Sequence, residues 1–384
     1  MINQSYLEKL LNGAPVEWKT LGEVCSVGVG QAPNSNELGE YSFVNAGTSP
    51  SGYLSEYNTE SNTITTPSRG QGGIGYVGYQ NNKFWCGPLC YRIRSTSDNL
   101  LTRFLYHIMS KNTIKIIELA NMTGVPALNR KELIGFVIPL PPLAVQAEIV
   151  RMLDSFTELT AELTAELTAR KKQYTYYRDQ LLTFEQGQVE WKALGEVGNV
   201  RMCKRILKEQ TLSEGEIPFY KIGTFGKIPD AYISRKLFEE FKAKYNYPKL
   251  GEILISASGT IGRTVIFDGR DSYFQDSNIV WVENDERLVL NKYLFYFYQI
   301  AKWGVAEGGT IQRLYNENLR KLQIPIPPLA EQTRIVAILD KFEALTNSIS
   351  EGLPREIELR KQQYEYYREL LLTFPSDTKN SQQC

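Results

Sequence analysis

Side chains able to drive a reaction are sparse in this 384-residue chain. Its one histidine, His107, sits in the apolar stretch RFLYHIMSK without evident triad companions and reads as structural. Five cysteines, at 25, 86, 90, 203 and 384, make no CxxC pair, and with a single histidine they form no usual zinc set. They read as reduced core thiols and a free tail. GTFGK at 223–227 is too short for a phosphate-binding P-loop, and VGVGQAP at 27–33 lacks the third glycine of a dinucleotide fingerprint, so both read as turns. The prolines of PLPPL and PIPPL follow leucine and isoleucine, which excludes the Asn/Asp-Pro-Pro-aromatic motif that amino-methyltransferases use.

What remains suits recognition. Glycine-rich turns at 70–75 and 257–262 let a backbone approach a ligand closely, and Arg69, Gln71, Arg263 and Thr264 flank them with base-reading or phosphate-holding groups. The alternative is a framework turn. Lys plus Arg equals Asp plus Glu at 43 each, so a basic surface has to be local. Residues 201–250 carry eleven basic side chains against six acidic ones. Lys204, Arg205, Lys208, Lys221, Lys227, Arg235, Lys236, Lys242 and Lys244 there, with Lys83 earlier in the chain, are candidates to neutralise phosphates, the alternative being a solvated charged face.

Internal repeats organise the elements that position these groups. VEWKTLGEV at 16–24 returns as VEWKALGEV at 189–197, and VIPLPPLAVQAEIVRMLDSFTELT at 137–160 returns as QIPIPPLAEQTRIVAILDKFEALT at 323–346. KQYTYYRDQLLTF at 172–184 matches QQYEYYRELLLTF at 362–374, and YLEKLL at 6–11 echoes the end of that unit, so the order closes into a ring with a pseudo-two-fold axis. Strand-and-turn segments such as EILISASGTIGRTVIF alternate with helical ones such as NKYLFYFYQIAKW, which makes each module α+β. The expected divisions are a short helix at 1–13, a module at 14–140, helix at 141–187, a second module at 188–326, helix at 327–374 and a disordered tail at 375–384.

The connecting helices start after Pro142 and Pro328, residues suited to a first helical turn. The first is predicted from Leu143 to Phe184, stopped near Gly187, and its 42 residues span about 60 Å. Leu159, Leu163, Leu167, Tyr174, Tyr177 and Leu181 line one stripe, which seeks the stripe carrying Tyr364, Tyr367 and Leu371 on the second helix. The ring order makes the two antiparallel. Gly352 and Pro354 are expected to break or kink the second helix, and its four extra residues between the matching leucine and tyrosine accommodate the fault.

On PLPPLAVQAEIVRMLD and PIPPLAEQTRIVAILDKF, with two diverged modules each opened by VEWK and LGEV, the chain closely resembles the specificity subunit of type I restriction-modification systems over nearly its whole length. The resemblance implies two target-recognition domains, each reading one half of a bipartite site in double-stranded DNA, and an antiparallel helical spacer that docks two methyltransferase subunits. Restriction subunits would join them. It implies a non-catalytic chain, with S-adenosylmethionine, ATP and magnesium bound by the partners. The repeated TAEL at 160–167 then reads as a ruler: each four-residue unit lengthens the helix by about 6 Å and turns its end by about 40° beyond a full turn. The rivals are a coiled-coil scaffold with two modules for protein or sugar, and a fused methylase or nuclease, which would need a Rossmann segment. No run of eighteen apolar residues occurs and the polar start MINQSYLEKLL lacks a signal peptide's pattern, so a cytoplasmic location with no membrane partner is expected.

Overall fold

A computed structural model describes residues 4–185, 187–304, 313–348 and 350–375. The chain divides into two compact units, residues 1–164 with 356–384, and residues 165–355. Each contains one globular module and the helical stretches packed on it.

The modules repeat one α+β topology. In the first, strands Cys25–Val29, Cys90–Ser95, Thr63–Pro67 and Gly78–Gln80 lie side by side in that order, all antiparallel. A second sheet orders Gly52–Leu54, Tyr41–Val44 and Trp85–Cys86, its last pair parallel. The second module has the same order and directions, Gly198–Met202, Ile279–Asn284, Ile253–Ser256 and Thr264–Ile266, then Tyr232–Ile233, Ile217–Tyr220 and Tyr273–Phe274. Thr63–Pro67 and Ile253–Ser256 are buried at every residue, as inner strands covered on both faces must be.

Each module is entered and left through one two-stranded ribbon. Glu17–Thr20 pairs antiparallel with Val137–Leu140, putting Trp18 opposite Pro139, and Glu190–Ala193 pairs with Gln323–Ile326 in the same register, Trp191 opposite Pro325. Proline is tolerated there because a two-stranded ribbon leaves half its N–H groups outside the ladder.

The first long helix, Leu143–Leu182, is 40 residues and ends two residues before the expected Phe184, whose ring turns onto the core of the second unit. Threonine hydroxyls in the repeat donate to carbonyls four residues back, Thr160 to Phe156 at 2.8 Å and Thr164 to Thr160 at 2.7 Å. The second helix is broken as its glycine and proline predict, into Leu329–Asn347 and Gly352–Leu371. Gly352 has φ +74°, and a Cβ there would meet the Ala344 carbonyl oxygen at 2.3 Å.

Within the first unit Phe156 stacks on Tyr367 with ring centroids 5.2 Å apart, and within the second Tyr177 stacks on Phe342 at 5.7 Å. Leu371 and Tyr174 are buried, whereas Leu159, Leu163, Leu167, Leu181, Tyr364 and Tyr367 are half-buried. Tyr177 stays 39% exposed although Phe342 stacks on its ring, and Leu182, next to half-buried Leu181, is the buried position that the stripe omitted. Helix Gln4–Leu11 sends Leu7 and Leu11 into the core that also holds Leu371, Leu372 and Phe374, so the start of the chain packs beside the end of its last helix. Of the tail expected at 375–384, residues 376–384 lie outside the described residues.

Candidate nucleic-acid interface

Each module is tied to the start of its long helix, and the same device does this twice. Gln146, one turn into the first long helix and wholly buried, accepts from the Leu101 N–H at 2.9 Å and donates to the carbonyls of Asn99 and Pro141, both at 2.8 Å. Leu101 caps helix Thr102–Lys111, whose first N–H groups have no partner inside the helix. Gln332 does the same for helix Asn291–Tyr298: it accepts from the Leu290 N–H at 2.9 Å and donates to Leu288 and Pro327 at 3.0 and 2.9 Å.

Two turns further along, Asp154 binds the Arg103 guanidinium at 2.8 Å and His107 Nε2 at 2.9 Å. Burial pushes the His107 pKa down against the upward pull of Asp154; the Asp154 carboxyl, although burial raises it, is held below its ordinary value by His107 and Arg103. In the second unit Asp340 takes the Lys292 ammonium at 2.7 Å and the Tyr296 hydroxyl at 2.5 Å. His107 is thus a buried side chain that ties helix Thr102–Lys111 to the first long helix. Burial likewise pushes the Cys25 and Cys203 thiols up to about 12, which leaves them protonated core groups.

The glycine turns are pinned on one side and open on the other. A Cβ on Gly73 would lie 2.0 Å from the Ala46 carbonyl oxygen, and one on Gly262 would strike the Trp303 indole at 2.1 Å. Around Gly72, by contrast, nothing approaches within 4 Å, and its neighbours Arg69 and Gln71 are exposed. Arg263 and Thr264 are built into the framework instead: the Arg263 guanidinium donates to the Phe225 carbonyl at 3.0 Å, and Thr264 is a sheet residue opposite Ile255.

The cations fall into two groups. Arg205 pairs with Asp276, Lys221 with Asp230, Arg235 with Glu216 and Asp271, Lys242 with Asp271, Lys244 with Glu240, and Lys83 with Glu60. Lys204 lies over the Tyr245 ring at 5.2 Å, and Lys208, Lys227 and Lys236 are exposed without an ion pair among the described residues. The four without an ion pair keep their charge available to a polyanion, whereas a paired cation must first give up its carboxylate.

Among the features that escaped sequence reasoning are three at or beside the candidate interface. One is Arg313, which bridges to Ser258 and donates to Asn278 Oδ1 at 3.2 Å. The others are the Gln146/Gln332 and Asp154/Asp340 anchors. Their signal was present, since each glutamine and each aspartate recurs at the same place in the two copies of the proline-led motif.

The family model described as type I restriction modification DNA specificity domain matches this chain twice, over residues 15–170 and 187–359. The chain belongs to this family. A Haemophilus influenzae protein described as a type I restriction enzyme specificity subunit is 53% identical over 97% of this chain and 99% of its own length. The EcoR124I/EcoR124II specificity subunit of Escherichia coli is 34% identical over 98% of both chains. Among solved structures, the S subunit of a type I restriction-modification system from M. genitalium shares the fold, with a TM-score of 0.62 at 18% identity over 95% of this chain and 98% of that one. Each family match contains one ribbon, one glutamine anchor and one glycine turn. Among the described residues no helix is long and apolar enough to cross a membrane.

Proposed function

We propose that this family member is the DNA sequence-specificity subunit of a type I restriction-modification complex. Residues 14–140 read one half of a bipartite site and 188–326 the other. The observation that carries this reading is a duplicated framework with diverged tips: strand order, ribbon register and glutamine anchor repeat, while the exposed turn residues include Arg69 and Gln71 in one module and Gly259 and Thr260 in the other. A shared mount with different tips is what two readers of different half-sites require.

The chain itself is non-catalytic in this reading. Two methyltransferase subunits dock on the helical regions and bind S-adenosylmethionine, restriction subunits bring ATP and magnesium, and the assembly works in the cytoplasm. Lys204, Lys208, Lys227 and Lys236 supply affinity through phosphates, and turn side chains supply sequence. The TAEL repeat sets how many unread base pairs separate the half-sites.

Genome-wide mapping of methylated adenines, with the gene present, deleted and restored, is the test. A bipartite motif that vanishes with the gene is expected; methylation that is unchanged by the deletion would reject the reading.

A further inference from the structure

Beside the open glycine turn of the first module stands a small β-ribbon that the sequence reading did not single out. Strands Ala120–Asn121 and Ala127–Leu128 pair antiparallel, Asn121 opposite Ala127, and between them residues 122–125 are exposed while Pro126 is buried. At the tip Met122 is 58% and Val125 60% exposed, and Gly124 turns the chain at φ +77° with nothing within 4 Å of where a Cβ would stand. The base is fastened to the glycine turn: Leu128 N–H donates to the Ser68 carbonyl at 2.9 Å, Gly70 N–H donates to that of Pro126 at 3.0 Å, and Arg69 bridges to Ala127. Arg69 and Gln71 are therefore carried on the same support as the apolar tip.

Resting on the function proposed above, we infer that this ribbon is the base-reading element of the first module, entering the major groove with Met122 and Val125 against thymine methyl groups and Gln71 on an adenine edge. Width, charge and chemistry point to one occupant. The major groove, about 12 Å wide, admits a two-stranded ribbon. Residues 68–76 and 118–132 carry Arg69, Arg130 and Lys131 against Glu118 and Glu132, a small positive excess, and residues 119–129, which hold the tip, carry no acidic side chain to repel a polyanion. Two exposed apolar side chains at a hairpin tip are far short of the roughly 1,000 Å² that a specific protein interface buries, yet suffice for methyl contacts. Gln71 offers the paired donor and acceptor that match adenine N7 and N6. The second module joins the same two places, Ser258 bridging to Arg313, but with polar groups: Arg313 donates to Ser277 and Asn278. With an arginine at the place of Ala127, the second module's support carries a different side chain, which is how two copies would come to read different bases.

The test uses the full chain assembled with its methyltransferase subunits, with methylated sites mapped and binding to duplexes of systematically varied half-sites measured at stated salt. Gln71→Arg is expected to move one position of the first half-site from A·T to G·C, and Met122→Ser to relax a thymine preference by about tenfold. The second half-site and the spacer stay as they were. Thermal melting verifies folding, and Val125→Thr, which keeps the size of the side chain, is the second variant should Met122→Ser fail to assemble. Unchanged preference at every position, or a loss of affinity equal for all sequences, overturns the inference. A wild-type complex that methylates no bipartite site would instead overturn the functional reading beneath it.

Discussion

Replacing Gln146 by leucine keeps the volume of the side chain nearly constant and removes its three hydrogen bonds. The side chain is wholly buried, so water cannot reach the Leu101 N–H or the Asn99 and Pro141 carbonyls as replacement. A buried polar group left unpaired costs about 1–3 kcal/mol, and carbonyls tolerate the loss better than an N–H. Set against the favourable transfer of leucine out of water, a net loss of about 3 kcal/mol is expected. For a unit of this size that lowers the melting temperature by roughly 6–12 °C. Gln332→Leu should do the same to the second unit. The two glutamines share no partner and lie in different units, so the effects should add within about 0.5 kcal/mol. Differential scanning calorimetry of the single and double variants measures this, with methylation mapping as the functional readout. The variant that leaves the first module loosely held should blur the half-site read by that module and spare the other. A Gln146→Leu shift under 2 °C, or equal blurring of both half-sites, would refute the role given to the anchor.

Deleting Thr164–Leu167 removes one helical unit of about 6 Å, equivalent to one or two base pairs at ~3.4 Å each, and mapped sites are expected to show a spacer shortened by that amount; an unchanged spacer with retained activity counts against the ruler. Acidification should weaken the first unit selectively: burial holds His107 below its ordinary 6.5 and the net pull of its partners holds Asp154 below 3.8, so the unfolded chain takes up these protons first and stability falls as the pH drops below about 6.5. Tyr296, which stands in the place of His107 in the second unit, is pushed far up by burial and nearby carboxylates and does not titrate there, and His107→Gln should flatten the slope between pH 7.5 and 5.5 in calorimetric scans. Gly73→Ala should cost about 1–3 kcal/mol by driving a methyl into the Ala46 carbonyl, whereas Gly72→Ala, with open space around it, should stay within about 0.5 kcal/mol in urea titrations.

Much of the framework was legible because duplication is a property of the chain. The start of each helix after Pro142 and Pro328 and the fault at Gly352 follow from local rules on proline and glycine, whereas the pairing of the repeated VEWK and IPLP or IPIP segments into ribbons does not. The candidate site was legible only in part. Arg69 and Gln71 proved to be open side chains on a pinned turn, whereas Arg263 and Thr264, which look equivalent in the sequence, are consumed by the Phe225 carbonyl and the sheet ladder.

Residue order alone was enough to establish two copies of one module, the helices between them and the family, since these depend on neighbours within a few turns and on self-similarity. Which cations are spent on carboxylates, which glutamine ties a helix to its module, and that residues 120–128 form a ribbon on the glycine turn were settled by folding. Each depends on groups that meet in space although tens of residues separate them in the chain, and no local pattern encodes such a meeting: Lys242 with Asp271, Gln146 with Leu101, and Arg69 with Ala127.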